Sequence, residues 1–188
     1  MGMLNLKQLL YSDLARHYEL EGSPGIEPNF LRFLCRVAHF RFLPVVLCRI
    51  SRAAMLHRVP LLPKLLTYLN AVLFGIEVTP RCEIGPGVFF PHTSGTVIGA
   101  VKIGAHATIY QGVTLGAKKL GLGVDPAHRP QVGDNVVLGA GCKILGGIVI
   151  GDNVIVGANS VVVRSVPPNR TLAGIPARDI SSMEAGTE

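Results

Sequence analysis

From Val78 onward, aliphatic residues recur every six positions: Val78, Ile84 and Phe90, then, after one extra residue, Val97, Ile103, Ile109 and Leu115. A segment outside the repeat follows, and Val132, Leu138, Ile144, Ile150, Val156 and Val162 resume it. Small or branched residues stand four places after most of these, among them Cys82, Val88, Ala107, Val113, Val136, Cys142, Val154 and Ser160. Glycine often follows the leading aliphatic, as at Gly85, Gly104, Gly133, Gly139 and Gly151. A six-residue period of this kind marks a parallel β-helix, in which each hexad supplies a short strand and a corner. The thirteen hexads, at three to a coil, predict about four triangular coils.

Before the repeat the rhythm is helical. Leu4, Leu6, Leu9, Leu10 and Leu14 share one face, which breaks at Gly22-Ser23-Pro24-Gly25. Phe30, Leu31, Phe33, Leu34, Val37, Ala38 and Phe40 form a second series, which Pro44 is expected to kink or end. Pro60 and Pro63 precede a last apolar helix over Leu65–Leu73. The pattern divides the chain into a helical cap or oligomerisation segment (1–75), a β-helix (76–180) with a loop over 116–131, and a flexible tail (181–188). A cap that packs on the solenoid and on partner subunits is the plain reading of residues 1–75. A surface resting on the inner membrane leaflet through apolar residues and Arg32, Arg36, Arg41, Arg49, Arg52 and Arg58 is the sharper one.

Composition narrows the class. Aromatics make up only 6% and Trp is absent, as suits a narrow interior of stacked Val, Ile and Leu. The formal charge of +6 suits an anionic partner, but no basic run is interleaved with aromatics, so nucleic acid is not expected. The four cysteines, Cys35, Cys48, Cys82 and Cys142, are scattered without a CxxC pair, so neither a disulfide framework nor a zinc site is expected. Cys82 and Cys142 fall on inward positions as small hydrophobes. No basic region followed by a long apolar run opens the chain, and Leu65–Ile76 is too short to span a bilayer. The expected location is the cytoplasm, with the inner membrane face as the alternative.

Two breaks in the repeat carry candidate chemistry. The extra residue between Phe90 and Val97 pushes a corner outward at His92, where a neutral imidazole is suited to act as a general base for a hydroxyl. Counting by coils places His92, Gln111, Ala140 and Ala158 in one column, a groove polar at one end and narrow at the other, suited to a pantetheine arm. The excursion from Gly116 to Pro130 holds Asp125, His128 and Arg129, and an ordered excursion of this length is usually functional.

The runs Gly75-Ile76-Glu77-Val78, Ile84-Gly85-Pro86-Gly87, His92-Thr93-Ser94-Gly95-Thr96-Val97-Ile98-Gly99, Gln111-Gly112-Val113-Thr114-Leu115-Gly116, Gly139-Ala140-Gly141-Cys142-Lys143-Ile144-Leu145-Gly146 and Ala173-Gly174-Ile175-Pro176-Ala177-Arg178 resemble the serine acetyltransferase family of hexapeptide-repeat acyltransferases. The likeness covers about residues 70–180 and reaches faintly into Arg36-Val37-Ala38-His39. It implies a left-handed parallel β-helix, a homotrimer or a dimer of trimers, acetyl-CoA as donor and an active site between neighbouring subunits. It implies His92 as catalytic base and Glu77 as the carboxylate that holds its ring. Gln111, His128 and Arg129 are then acceptor-binding candidates. Gly116, Ala117, Lys118, Ala140, Lys143, Ala158 and Arg178 are donor-binding candidates, and Lys119 is a further basic residue for the donor phosphates. No metal is expected.

Two departures bear on the acceptor. Serine-using members usually carry aspartate before the catalytic histidine, where this chain has Pro91, and arginine then histidine in the loop, where it reads His128-Arg129-Pro130. Losing the aspartate removes a partner for a substrate ammonium. The expected acceptor is therefore a sugar hydroxyl of a surface polysaccharide or its precursor, with L-serine as the alternative. A metal-dependent hydratase of the carbonic anhydrase type, using His92, His106 and His128, and a purely structural scaffold are more remote alternatives.

Overall fold

The computed structural model describes residues 5–118 and 125–184. Helices α1 (Leu6–Leu20), α2 (Phe30–Arg36), α3 (Leu43–Leu56) and α4 (Leu62–Phe74) come first. The chain then visits three sheets in turn. Sheet A stacks β1 (Ile76–Val78), β3 (Thr96–Ile98), β6 (Thr114–Gly116), β9 (Lys143–Leu145) and β12 (Val161–Val162). Sheet B stacks β2 (Glu83–Ile84), β4 (Lys102–Ile103), β7 (Gln131–Val132) and β10 (Val149–Ile150). Sheet C stacks β5 (Thr108–Ile109), β8 (Val137–Leu138), β11 (Ile155–Val156) and β13 (Thr171–Gly174), and the antiparallel strand β14 (Ala177–Asp179) closes it. Neighbours within each stack are otherwise parallel, with Ile84 paired to Ile103 and Ile103 to Val132. The result is a three-sided coil with an aliphatic interior: Ile103, Ile109, Leu115, Leu138, Ile144, Ile150 and Val156 are wholly buried.

The register corrects the sequence reading at one corner. Ile98, not Val97, pairs with Leu115 and Val78. Ile98 is 1% exposed and Val97 39%. Both residues are aliphatic, so hydrophobicity alone cannot choose between them, while strand alternation lets only one face inward. Phe90 and Ile109 are matched through the bridge of Phe89 to Thr108. The corner from Phe90 to Ile98 therefore holds two residues more than its counterpart from Ile109 to Leu115, and the next, from Ile98 to Ile103, is one short.

Corners stack as tightly as strands. Gly95, Gly112 and Gly141 all have positive φ, and a Cβ on Gly112 would lie 3.4 Å from the Gly141 Cα. On the corner between sheets B and C, Asn135, Asn153 and Asn169 take the same left-handed backbone and chain their amides, at 3.2 and 2.9 Å. Asparagine tolerates that conformation better than most side chains.

The helical cap departs from its expected layout. Pro44 neither kinks nor ends a helix but stands in the first turn of α3, where a missing N–H costs nothing. Pro63 does the same for α4, which ends at Gly75 in the left-handed region. The α1 and α3 helices are fastened to the first coil by a buried ion pair. Arg49 Nε and Nη2 donate to the two Asp13 carboxylate oxygens at 2.8 and 2.9 Å. Arg49 also donates to the Ile84 carbonyl and, at 2.6 Å, to that of Gly85. Asp13 in turn accepts from the Gly87 and Val88 amides at 2.9 and 3.1 Å. Where a tail was expected, Ser181–Glu184 form a single helical turn, α5. Among the described residues, no helix is long and apolar enough to cross a membrane.

Candidate active site

The enlarged corner holds Pro91 to Gly95 and is pinned on both sides. Thr93 Oγ1 donates to the Phe74 carbonyl at 2.7 Å, and the Gly95 amide to that of Gly75 at 2.9 Å. Thr96 Oγ1 donates to the Tyr110 carbonyl at 3.3 Å. Held this way, His92 is exposed at the edge between sheets C and A. Glu77 lies on the outer face of sheet A, paired in register with Val97, and is also exposed. Neither side chain has a hydrogen-bond partner among the described residues, so within one chain the carboxylate does not hold the imidazole.

The column next to His92 is not the one the hexad count predicts. Gly112 donates to Ser94 O at 3.0 Å, Gly141 to Gln111 O at 2.8 Å and Asn159 to Ala140 O at 2.8 Å. Ser94, Gln111, Ala140 and Ala158 therefore stack, and His92 stands two places before the stack, inside the corner. The two extra residues displace it. Small side chains line the far end of this edge, and Lys143 donates to the Gly112 carbonyl at its middle. The Gln111 side-chain oxygen is buried there with no partner. An unpaired buried acceptor costs free energy unless a ligand N–H completes it.

A second group of candidates lies along a different edge, between sheets A and B. Gly116 ends β6, and Ala117 and Lys118 follow it; Lys118 Nζ donates to the Val163 carbonyl at 3.2 Å. Lys119 lies outside the described residues. After the gap, Asp125 caps the short turn Pro126–His128 by accepting from the Ala127 amide at 2.9 Å. Its other oxygen meets His128 Nδ1 at 2.9 Å, and the Ala127 amide, then His128, hold its pKa below the usual carboxylate value. Arg129 Nη1 donates to the Gly99 carbonyl at 2.8 Å. Gly147 has no room for a Cβ because the Ala127 carbonyl packs against it. Arg178 stands apart on β14, exposed beside Arg164 and Pro176.

The chain thus gathers His92, Glu77, Gln111, Ala140, Ala158 and Lys143 on and beside one edge. It carries Gly116, Ala117, Lys118, His128 and Arg129 on the next, with sheet A between them. His106 is on the third edge, with its ring over Gly87. Among the described residues no group of three or more His, Cys, Asp or Glu is placed to hold a metal ion. Burial pushes the Cys82 and Cys142 thiols up to about 12, which leaves no nucleophilic thiolate in the coil at neutral pH. The Asp13–Arg49 anchor was missed in the sequence, since a pairing across such a separation leaves no local spacing signal.

Comparisons with known proteins bear on this geometry. The family described as Bacterial transferase hexapeptide (six repeats) matches residues 129–164. A solved serine acetyltransferase of Neisseria gonorrhoeae in complex with serine superposes with a TM-score of 0.77 at 30% identity, covering 92% of this chain and 68% of that one. The chain belongs to the serine acetyltransferase family. The serine acetyltransferase of Synechococcus elongatus is 45% identical over 156 residues, 81% of this chain but 57% of that relative's length. Another family member, solved in complex with CoA, gives a TM-score of 0.74 at 28% identity, covering 93% of this chain and 69% of that one. None of these relatives is a polysaccharide acetyltransferase.

Proposed function

We propose that this chain transfers an acetyl group from acetyl-CoA to the hydroxyl of L-serine. The relatives favour this acceptor over the sugar hydroxyl that Pro91 and the His128-Arg129 order had suggested, because the similar proteins are serine acetyltransferases and one was solved with serine. The single observation that carries the acetyl-transfer reading is the enlarged corner that holds His92 in the open at the end of a small-residue edge.

His92 removes the acceptor hydroxyl proton as the oxygen adds to the thioester carbonyl, then returns a proton to the departing thiolate. Transfer is direct, since the coil cysteines are buried and protonated. Glu77 closes on the ring nitrogen remote from the acceptor, fixing the tautomer and stabilising the imidazolium. The Gln111 oxygen and the backbone beside Ala140 and Ala158 receive the amides of the donor arm. Lys143, Lys118 and Arg178, with Gly116 and Ala117 at the turn, receive its phosphate end. The coil is left-handed, residues 1–75 cap it, and residues 76–180 form the catalytic unit with its 116–131 loop.

A site of this kind needs a second subunit. His92 and Arg129 lie on different edges of one prism, so the loop that completes a given His92 comes from a neighbour in a homotrimer. Arg129 and His128 then face the acceptor carboxylate across the interface. Release of CoA thiol from acetyl-CoA, measured with L-serine and with a panel of nucleotide sugars, tests the proposal. Turnover with serine supports it, and turnover with a sugar alone refutes the acceptor.

A further inference from the structure

A second concavity lies where the helical cap overhangs sheet C and reaches Pro91, next to the His92 corner. Its volume of ≈ 680 Å³ is within the range of small-molecule sites. The cap contributes Arg16, Arg36, Arg41 and His39, sheet C contributes Thr108 and Val137, and Tyr110 and Pro91 stand at the corners beside them. Among its described lining residues, Glu21 is the one carboxylate. Arg36 pairs closely with Glu21, whereas Arg41 Nη1 stands 3.7 Å from it. Arg16 meets Glu19 at 2.9 Å, but Glu19 is 56% exposed and such a pair is weak.

The three guanidinium groups are incompletely satisfied. The Nε atoms of Arg16, Arg36 and Arg41 are all buried without a hydrogen-bond partner. Two of the groups are braced against aromatic rings: Arg36 lies 5.8 Å from the Tyr18 ring centre and Arg41 5.2 Å from that of Phe40. Burial, then Arg36 and Arg41, lower the pKa of His39, in keeping with a surplus of positive charge. Half-desolvated cations call for an anion, and planar guanidinium forks match the oxygens of a phosphate. The cleft is far larger than an amino-acid carboxylate needs, and Tyr110, 37% exposed, offers a ring face beside the charges.

We infer that this cleft is a binding site for a phosphate ester, with the phosphate on Arg16, Arg36 and Arg41 and the organic body over Tyr110 towards Pro91. It is separate from Lys143 and Arg178, and its occupant would sit beside the His92 corner. An ester in solution and a lipid headgroup present the same phosphate chemistry to it.

Calorimetric titration of the full chain with inorganic pyrophosphate tests this without any turnover. Sedimentation with phosphatidylglycerol vesicles, against phosphatidylcholine vesicles, tests the lipid source. Saturable pyrophosphate binding should weaken about tenfold in Arg41→Gln and in Arg16→Gln, the scale of a lost charge-assisted contact. Both variants spare the close Arg36–Glu21 pair, and circular dichroism verifies their fold. The same binding should survive Arg178→Gln. Retention on phosphatidylglycerol alone, lost in the same two variants, also supports the site and names the lipid as source. Binding of neither probe, indifference to both substitutions, or loss in Arg178→Gln would overturn it.

Discussion

His92 and His17 show how differently one residue type behaves in this chain. His92 stands in the open on a pinned corner. Its replacement by alanine should lower acetyl transfer about a hundredfold or more, the usual scale for a general base, with the circular dichroism spectrum unchanged. Glu77→Gln should lower kcat while leaving the KM for acetyl-CoA near its starting value; an unaltered kcat would show that Glu77 only packs. His17 is wholly buried on α1, its ring edge-on to Phe42 and Phe89 at 5.1 and 4.7 Å, with neither nitrogen bonded. Burial first, then the charges of Arg36, His39 and Arg41, push its pKa down from 6.5 to about 3. The unfolded chain therefore takes up a proton that the folded chain refuses, and folding stability falls as pH drops from about 6.5 towards 3. Urea unfolding across that window should show the loss, and His17→Leu should flatten it.

At the scale of elements, the repeat is the part most plainly written in the chain. Strand after strand carries one inward aliphatic at a six-residue interval, and β6 to β12 fall where the period puts them. The period gave no means of choosing between Val97 and Ile98, so the size of the His92 corner stayed hidden until the pairing with Leu115 was seen. The α3 helix was missed because a proline reads equally as a stop or as a start. The clamp of Asp13 on Arg49 was illegible because two helices and a coil must meet before the two residues are near. Removing one partner of a buried pair leaves the other charge unpaired, so Arg49→Met should cost about 3–5 kcal/mol of stability. Asp13→Leu combined with Arg49→Met should recover part of it in denaturant titration; a double variant as weak as the single would show that the loss is one of packing.

For the whole molecule, the two edges decide how the site is assembled. The acceptor and donor candidates fall on separate sides of sheet A, because a coil spaces them by corners rather than by chain distance. A homotrimer with each site shared between neighbours predicts complementation. His92→Ala and Arg129→Ala preparations, each weak alone, should regain activity when unfolded and refolded together, since some interfaces then pair an intact His92 with an intact Arg129. Activity no higher than the mean of the two would place both residues in one subunit's site.

The most direct measurement is the rate of CoA thiol release from acetyl-CoA by the purified chain, with L-serine and without it. A serine-dependent, saturable rate that collapses in His92→Ala is the predicted result. No serine dependence, or a rate that survives the loss of that imidazole, would contradict the account.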